Sequence, residues 1–273
     1  MPISETNTSN NPCLPSLRLL AQNLIRMESP DQKSDAVRHL LAQKLHLDPF
    51  ERLSEGAGIP GRPAQPILVN PGELKSRAVG TIEGRATLIH ALAHIEANAV
   101  NLALDILWRF EGMPERFYCD WLQVAREEAL HFQLLRDHLH TLGYRYGDFP
   151  AHDGLWEMAE KTKHNLLARL ALVPRTLEAR GLDVTPAIRT KLISVGDRAG
   201  AAILDIILRD EIGHVAVGNH WYRHLCTLQQ LDPVATYDSL AQSYGAKPLK
   251  GPFNLEARRA AGFDEIELSL LKQ

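Results

Sequence analysis

Apolar residues recur along this chain with the period of a helix. The positions three, four and seven residues from Glu96 include Ile89, Leu92, Ala93, Ala99, Val100 and Ala103, which makes one apolar stripe. Glu128 lies in a second stripe with Trp121, Val124, Ala125, Phe132 and Leu135, and Glu211 in a third with Leu204, Ile207, Leu208, Val215 and Gly218. A further apolar run, Leu166 to Val173, leads into Glu178. Glycine and proline punctuate the pattern. They predict a helix over about Thr87 to Phe110 that stops at Gly112, a second that begins at Pro114, and a later turn around Ser194 to Gly196. The expected fold class is all-α, a four-helix bundle with N- and C-terminal helical extensions. Residues 1–81 form the first extension, 82–230 the bundle and 231–273 the second.

Within the first extension, residues 1–13 are rich in Ser, Thr, Asn and Pro and are expected to be disordered. Short helices are expected over Leu14 to Met27 and Ser29 to Leu45, followed by an extended Gly/Pro-rich stretch, Gly56 to Gly72, that wraps the bundle. Gly143 to Gly154 reads as a loop. A dozen extended residues reach only about 40 Å, so part of Leu155 to Leu170 is expected either to serve the crossover from the second bundle helix to the third or to bend away. Helices are expected after Pro233 and Asn254, and from Phe263 to Leu271. The run Gly181-Leu182-Asp183-Val184-Thr185-Pro186 combines a helix-stop glycine, an N-cap threonine and an N1 proline. It predicts a break just after Glu178, either a plain loop or a distortion after which the helix resumes.

The carboxylates on these stripes carry the candidate chemistry. Arg126-Glu127-Glu128-Ala129-Leu130-His131 and Arg209-Asp210-Glu211-Ile212-Gly213-His214 share one pattern, Arg, acid, Glu, two spacers, His. Residues three apart share a helix face, so Glu128 with His131 and Glu211 with His214 can each chelate a metal ion. One Glu-x-x-His is weak, since roughly one is expected by chance in such a chain. A carboxylate on an apolar face must be protonated, paired or bound to a cation. A Glu-His pair closing on itself is the simple alternative. Glu96 and Glu178 complete the order Glu, Glu-x-x-His, Glu, Glu-x-x-His, the ligand set of di-iron and di-manganese carboxylate bundles. For Glu178 an ordinary salt bridge to Arg175 or Arg180 is the alternative. Geometry supports the set: Glu96 to Gly112 and Gly112 to Glu128 are each sixteen residues, so an antiparallel hairpin returns both carboxylates to one level. Glu178 and Glu211 straddle Gly196 in the same way.

Other polar positions need explanation too. His90, His94, Asn98, Asn101 and Asp105 lie on a different side of the first helix, as a hydrogen-bonded seam or as a second metal or proton-delivery row. Tyr222 is a core tyrosine or a redox-active phenol on the metal face.

The motifs His94-Ile95-Glu96, Glu127-Glu128-Ala129-Leu130-His131-Phe132, Leu177-Glu178-Ala179-Arg180-Gly181-Leu182-Asp183 and Asp210-Glu211-Ile212-Gly213-His214-Val215 resemble the ferritin-like di-iron superfamily. Within it they are similar to the bacterial family catalogued as domain of unknown function 455, over about residues 15 to 262. That resemblance implies a ferritin-like bundle whose metal ligands are Glu96, Glu128, His131, Glu178, Glu211 and His214. Glu127 and Asp210 would be the acids that hydrogen-bond the far nitrogen of a ligating histidine and set its orientation and basicity.

Composition narrows the setting. The chain has 273 residues, 45% hydrophobic and 6% aromatic, enough for one bundle core with extensions. A net charge of −3 gives no general attraction to nucleic acid. No apolar run approaches a membrane span, and the N-terminus lacks signal-peptide character. Cys13, Cys119 and Cys226 have no pairing pattern and are expected to be reduced, in a cytoplasmic protein.

Three functions fit these residues. The first is a dinuclear oxidoreductase that activates O2 to oxidise or hydroxylate a small organic substrate, with iron favoured and manganese or a mixed Mn/Fe pair suited to the same ligands. It implies an electron-donor protein and a monomer or homodimer. The second is ferroxidase iron storage, against which stand the long extensions on both sides of the bundle. The third is a non-catalytic metal-binding or polar-cored bundle.

Overall fold

The computed structural model describes residues 16–40, 45–75 and 77–271. The expectation for residues 1–13, Cys13 included, lies outside them. Among the described residues the chain is helical without strands, and Ser16 with His46 and Leu68 with Ala151 make isolated bridges. The helices are α1 (Leu17–Ile25), α2 (Pro30–His39), α3 (Ile82–Arg109), α4 (Glu115–Thr141), α5 (Gly154–Lys161), α6 (Leu166–Leu172), α7 (Ala179–Ser194), α8 (Arg198–Leu228), α9 (Pro233–Ser243), α10 (Leu255–Ala260) and α11 (Glu265–Leu270). A π-helical turn, Val173–Glu178, joins α6 to α7 without interruption.

The bundle consists of α3, α4, the composite helix α6–α7, and α8. α3 packs on α4, α7 on α8, and α4 on α8. Gly112 (φ 78°) and Gly196 (φ 81°) make the two hairpin turns, in the left-handed region that glycine enters at no steric cost. Asp197 caps α8 by accepting from Gly200 N at 2.8 Å and also takes His138 Nε2 at 2.9 Å, which ties the end of α4 to the start of α8. α6 is joined to α3 by the fully buried pair Arg169–Asp105 at 2.6 Å. Part of Leu155 to Leu170 lies between the second and third bundle helices, since α5 ends at Lys161 and α6 begins only at Leu166.

The N-terminal extension covers one side. α1 packs on α3 and α2 on α4. The stretch from 45 to 75 is held by backbone and side-chain bonds: Gly61 N to Ile25 O at 2.8 Å, Val69 N to Ala151 O at 2.8 Å, and Gln22 Nε2 to Ser54 O at 2.8 Å. Buried Arg18 donates to Trp108 O at 2.7 Å, and buried Lys33 donates to Asn101 Oδ1. Burial pushes the Lys33 ammonium down to about 7. The polar row on α3 is a seam. His90 Nε2 accepts from Gly147 N at 2.9 Å, His94 pairs with Tyr146 Oη and His152 O, and burial pushes both imidazoles down to about 4, the neutral form.

The third bundle helix departs from the sequence expectation. Gly181 to Pro186 is helical throughout, and the distortion is the π turn that ends at Glu178. Pro174 has no N–H and its ring excludes the carbonyl four residues back, a conflict that the wider π register accommodates. Thr176 Oγ1 donates to Ala171 O at 2.8 Å within this turn. Gly218 on α8 faces the proline, and a Cβ there would come within 2.7 Å of Pro174 Cβ. Pro186 likewise frees the carbonyl of Leu182, which accepts instead from Asn254 Nδ2 at 3.2 Å. The stop signal is therefore overridden by a tertiary donor from the C-terminal extension.

Candidate metal centre

The two hairpins bring five of the six sequence-derived residues together inside the bundle, while Glu178 belongs to neither of the two groups they form. Glu96, Glu128, His131, Glu211 and His214 are all buried. Glu96, Glu128 and His131 converge so that one ligand atom from each lies within 4.8 Å of the others, and Glu128, Glu211 and His214 do the same. Glu128 belongs to both groups. Its Oε2 lies 3.3 Å from His131 Nδ1, and its Oε1 lies 2.9 Å from His214 Nδ1. Glu96 Oε2 is 3.5 Å from His131 Nδ1, and Glu211 Oε2 is 3.2 Å from His214 Nδ1. The imidazoles stand 5.7 Å apart between centroids.

Glu178 differs from the others. Its Oε2 is buried with no hydrogen-bond partner. Neither candidate arginine binds it: Arg175 donates to Asn219 and Glu267, and Arg180 to Asp183 and Pro252 O. An orphaned carboxylate oxygen beside three other carboxylates wants a proton or a cation.

The acids before the motifs act across the bundle. His131 Nε2 donates to Asp210 Oδ2 at 3.1 Å, and His214 Nε2 donates to Glu127 Oε2 at 2.8 Å. Each histidine is thus fixed by the acid that precedes the other hairpin's Glu-x-x-His, with Nδ1 turned inward. Gln123 and Arg209 hold the two acids in turn. Sequence reasoning assigned Glu127 and Asp210 to histidine nitrogens without assigning each to a particular ring. The cue for exchange was the identity of the two motifs, since equal elements packed face to face on α4 and α8 make any cross-contact reciprocal.

On the protein's own charges the cluster holds protons. Burial, then the neighbouring Glu128, pushes Glu96 up to about 8. Burial, then Glu211, raises Glu178 well above the carboxylate range, and burial raises Glu211 too. Burial works against ionised Glu128, but His214 and the bonds from both imidazoles outweigh it and hold that carboxyl low. Burial also works against imidazolium, yet the bonds to Glu128 and Glu96 push His131 up to about 11, and Glu128 and Glu127 raise His214 well above its ordinary value. Protons at the two Nδ1 atoms and on Glu96 and Glu178 do the neutralising that cations would do. Carboxylate oxygen with imidazole nitrogen is a donor set that suits a divalent metal ion.

Tyr222, read from sequence as a core tyrosine or a redox phenol, donates its hydroxyl to Pro233 O at 2.6 Å, which commits it to the junction with α9. Cys119 and Cys226 are free thiols. No helix among the described residues is long and apolar enough to cross a membrane.

Fold and cluster together define an all-helical bundle with a Glu/His site that could hold metal. The family model described as "Protein of unknown function (DUF455)" matches residues 26–269, and the chain belongs to that family. It is 45% identical over 262 residues, covering 90% of each chain, to an "Uncharacterized protein" from Haemophilus influenzae (strain ATCC 51907 / DSM 11121 / KW20 / Rd). No solved structure matches it.

Proposed function

We propose that this protein is a ferritin-like dinuclear metal oxidoreductase, with iron as the favoured metal, that activates O2 to oxidise or hydroxylate an organic substrate. The observation that carries the reading is the pair of Glu/His groups sharing Glu128, each closed by an acid from the opposite hairpin. Glu96 and His131 would hold one ion, Glu178, Glu211 and His214 the other, and Glu128 both. When bound, a reduced iron pair supplies the electrons that O2 requires.

The chain's own residues supply the rest. Asp210 and Glu127 keep each Nε2 protonated and each Nδ1 directed at the site, which raises ligand basicity. Ala93, Ala125, Phe132 and Leu204, all buried, exclude water from the interior face. Glu178, on an irregular turn and without a hydrogen bond to hold it, is the carboxylate freest to move.

Anaerobic loading with Fe(II) should give about two irons per chain, as the ligand set requires, and admitting O2 should then consume O2 in proportion to iron. Uptake that stops at two ions in a monomer or dimer separates this reading from storage. A single tight zinc, or a cage-sized particle that keeps accumulating iron, would refute it.

A further inference from the structure

A second site lies outside the metal cluster, between the bundle and the C-terminal extension. There a cavity of about 390 Å³ opens between α9, the segment that follows it, and α10–α11. Its walls are mostly apolar, with Val234, Tyr237, Ala241, Leu249, Phe253 and Leu270 among them. Two arginines line the same cavity, Arg175 from the π-helical turn and Arg258 from α10. Both are buried, at 4% and 0% exposure.

Each arginine is largely satisfied but not fully. Arg175 donates through Nε to Asn219 at 2.8 Å and through Nη2 to Glu267, and its faces are covered by Tyr222, Tyr237 and Phe263 with guanidinium-to-centroid distances of 4.7, 5.2 and 5.1 Å. Arg258 donates through Nε and Nη2 to Asp183 at 2.9 and 2.7 Å and lies over Phe253 and Phe263. In both, Nη1 is buried with no acceptor. Buried guanidinium nitrogens are seldom left so. The charges are also unbalanced. Glu267 serves both Arg175 and Arg223, and Asp183 serves both Arg258 and Arg180, while Asp264 adds only a 3.4 Å contact to Arg223. Four guanidinium groups face three carboxylates, and the cavity wall adds one residue of each sign, Lys247 and Asp238.

We infer that this cavity binds an amphipathic carboxylate, with its hydrocarbon among the apolar walls and its head taken by the free nitrogens of Arg175 and Arg258. A carboxylate brings one negative charge, which matches the surplus, and two acceptor oxygens of the kind guanidinium N–H groups bind. A phosphate monoester would overshoot the charge. The size suits a medium-length chain or a substituted aromatic acid. Arg175 sits three residues before Glu178 on one π turn, so an occupant here bears on the segment that presents the irregular carboxylate.

Decanoate, decanol and decylamine, titrated calorimetrically into the full-length protein, test this. Chelator-treated protein is used, so the result is independent of the metal reading. Decanoate should bind at one per chain, with decanol weaker by about tenfold, the worth of one charge-assisted bond, and decylamine weaker still. Ala241→Trp, which fills the cavity and leaves both arginines in place, should weaken decanoate binding at least about tenfold. Arg175→Gln should weaken decanoate but not decanol. No decanoate binding, equal affinity for decanoate and decanol, or unchanged affinity in a folded Ala241→Trp variant would overturn the proposal.

Discussion

The two hairpins deliver the same kinds of candidate ligand by different means. In the first, Glu96, Glu128 and His131 stand on the uninterrupted helices α3 and α4, and the N-terminal extension is pinned to that side by Arg18 at Trp108 O and by Lys33 at Asn101. In the second, α8 is regular but its partner holds Pro174 and Pro186 and presents Glu178 at the end of a π turn. That side is braced by the C-terminal extension, through Asn254 to Leu182 O, Arg258 to Asp183 and Glu267 to Arg175. Helix regularity gives fixed ligand positions, whereas a π turn gives room for adjustment at the price of lost backbone bonds. The asymmetry therefore assigns rigidity to one half of the site and adaptability to the other.

The largest expected effect falls on the residue common to both halves. Glu128→Gln should take metal content from about two per chain to near none, because it removes a ligand from each group. Glu178→Gln should lose one ion and keep the other. Glu111→Ala, on the exposed turn between α3 and α4, should change neither. Elemental analysis after anaerobic reconstitution decides, and equal losses in the Glu128 and Glu178 variants would remove the distinction between the halves.

Proton release comes next. Glu96 at about 8 and His131 at about 11 both hold protons at neutral pH, and ligation requires both to give them up. Protons therefore compete with metal. Affinity should fall as pH drops and rise between about pH 6 and 8, by up to roughly tenfold per unit for each proton released. Calorimetry in buffers of different ionisation enthalpy reads the proton count directly, and a pH-independent affinity would contradict the protonated cluster.

How far these features were legible in sequence follows the same division. The regular hairpin could be read closely, because a carboxylate on an apolar stripe, a Gly112 stop and sixteen residues on either arm are local signals. Ser194 to Gly196 was equally plain. The irregular half was not. Gly181 to Pro186 carries every local mark of a helix end, and what defeats it is Asn254, some seventy residues away, supplying Leu182 O with a donor. The π turn forms instead around Pro174, where Gly218 leaves space for its ring. The exchange of Glu127 and Asp210 between hairpins needed the packing of α4 on α8, which no single motif records.

Two glycines on α8 test the fit of the π turn against that helix. Alanine in a helix is favoured over glycine by about 1 kcal/mol. At Gly213, where a Cβ would meet nothing within 4 Å, Gly213→Ala should gain about that much. At Gly218 the Cβ would stand 2.7 and 2.9 Å from Pro174 Cβ and Cγ, and overpacking of this kind costs about 1–3 kcal/mol. Gly218→Ala should therefore lose stability in denaturant titrations even though the intrinsic preference points the other way. A gain at both positions would show that the π turn tolerates a closer neighbour than the structure allows.

The smallest effect concerns the carbonyl that Pro186 frees. Asn254→Ser removes the Nδ2 donor to Leu182 O but leaves a side chain able to cap α10, where Asn254 Oδ1 accepts from Ala257 N at 3.1 Å. The unpaired carbonyl should cost about 1 kcal/mol. Pro186→Ala restores an N–H one helical turn beyond Leu182 and offers that oxygen its ordinary partner. In the Asn254→Ser background this substitution should recover most of the loss, while in the wild-type background it supplies a second donor to an oxygen that already has one. The double-mutant cycle should accordingly show a coupling of about 1 kcal/mol between positions 186 and 254. Additive effects would mean that the C-terminal extension holds α7 through Asp183 and Arg258 alone, and that the proline is accommodated by the helix itself.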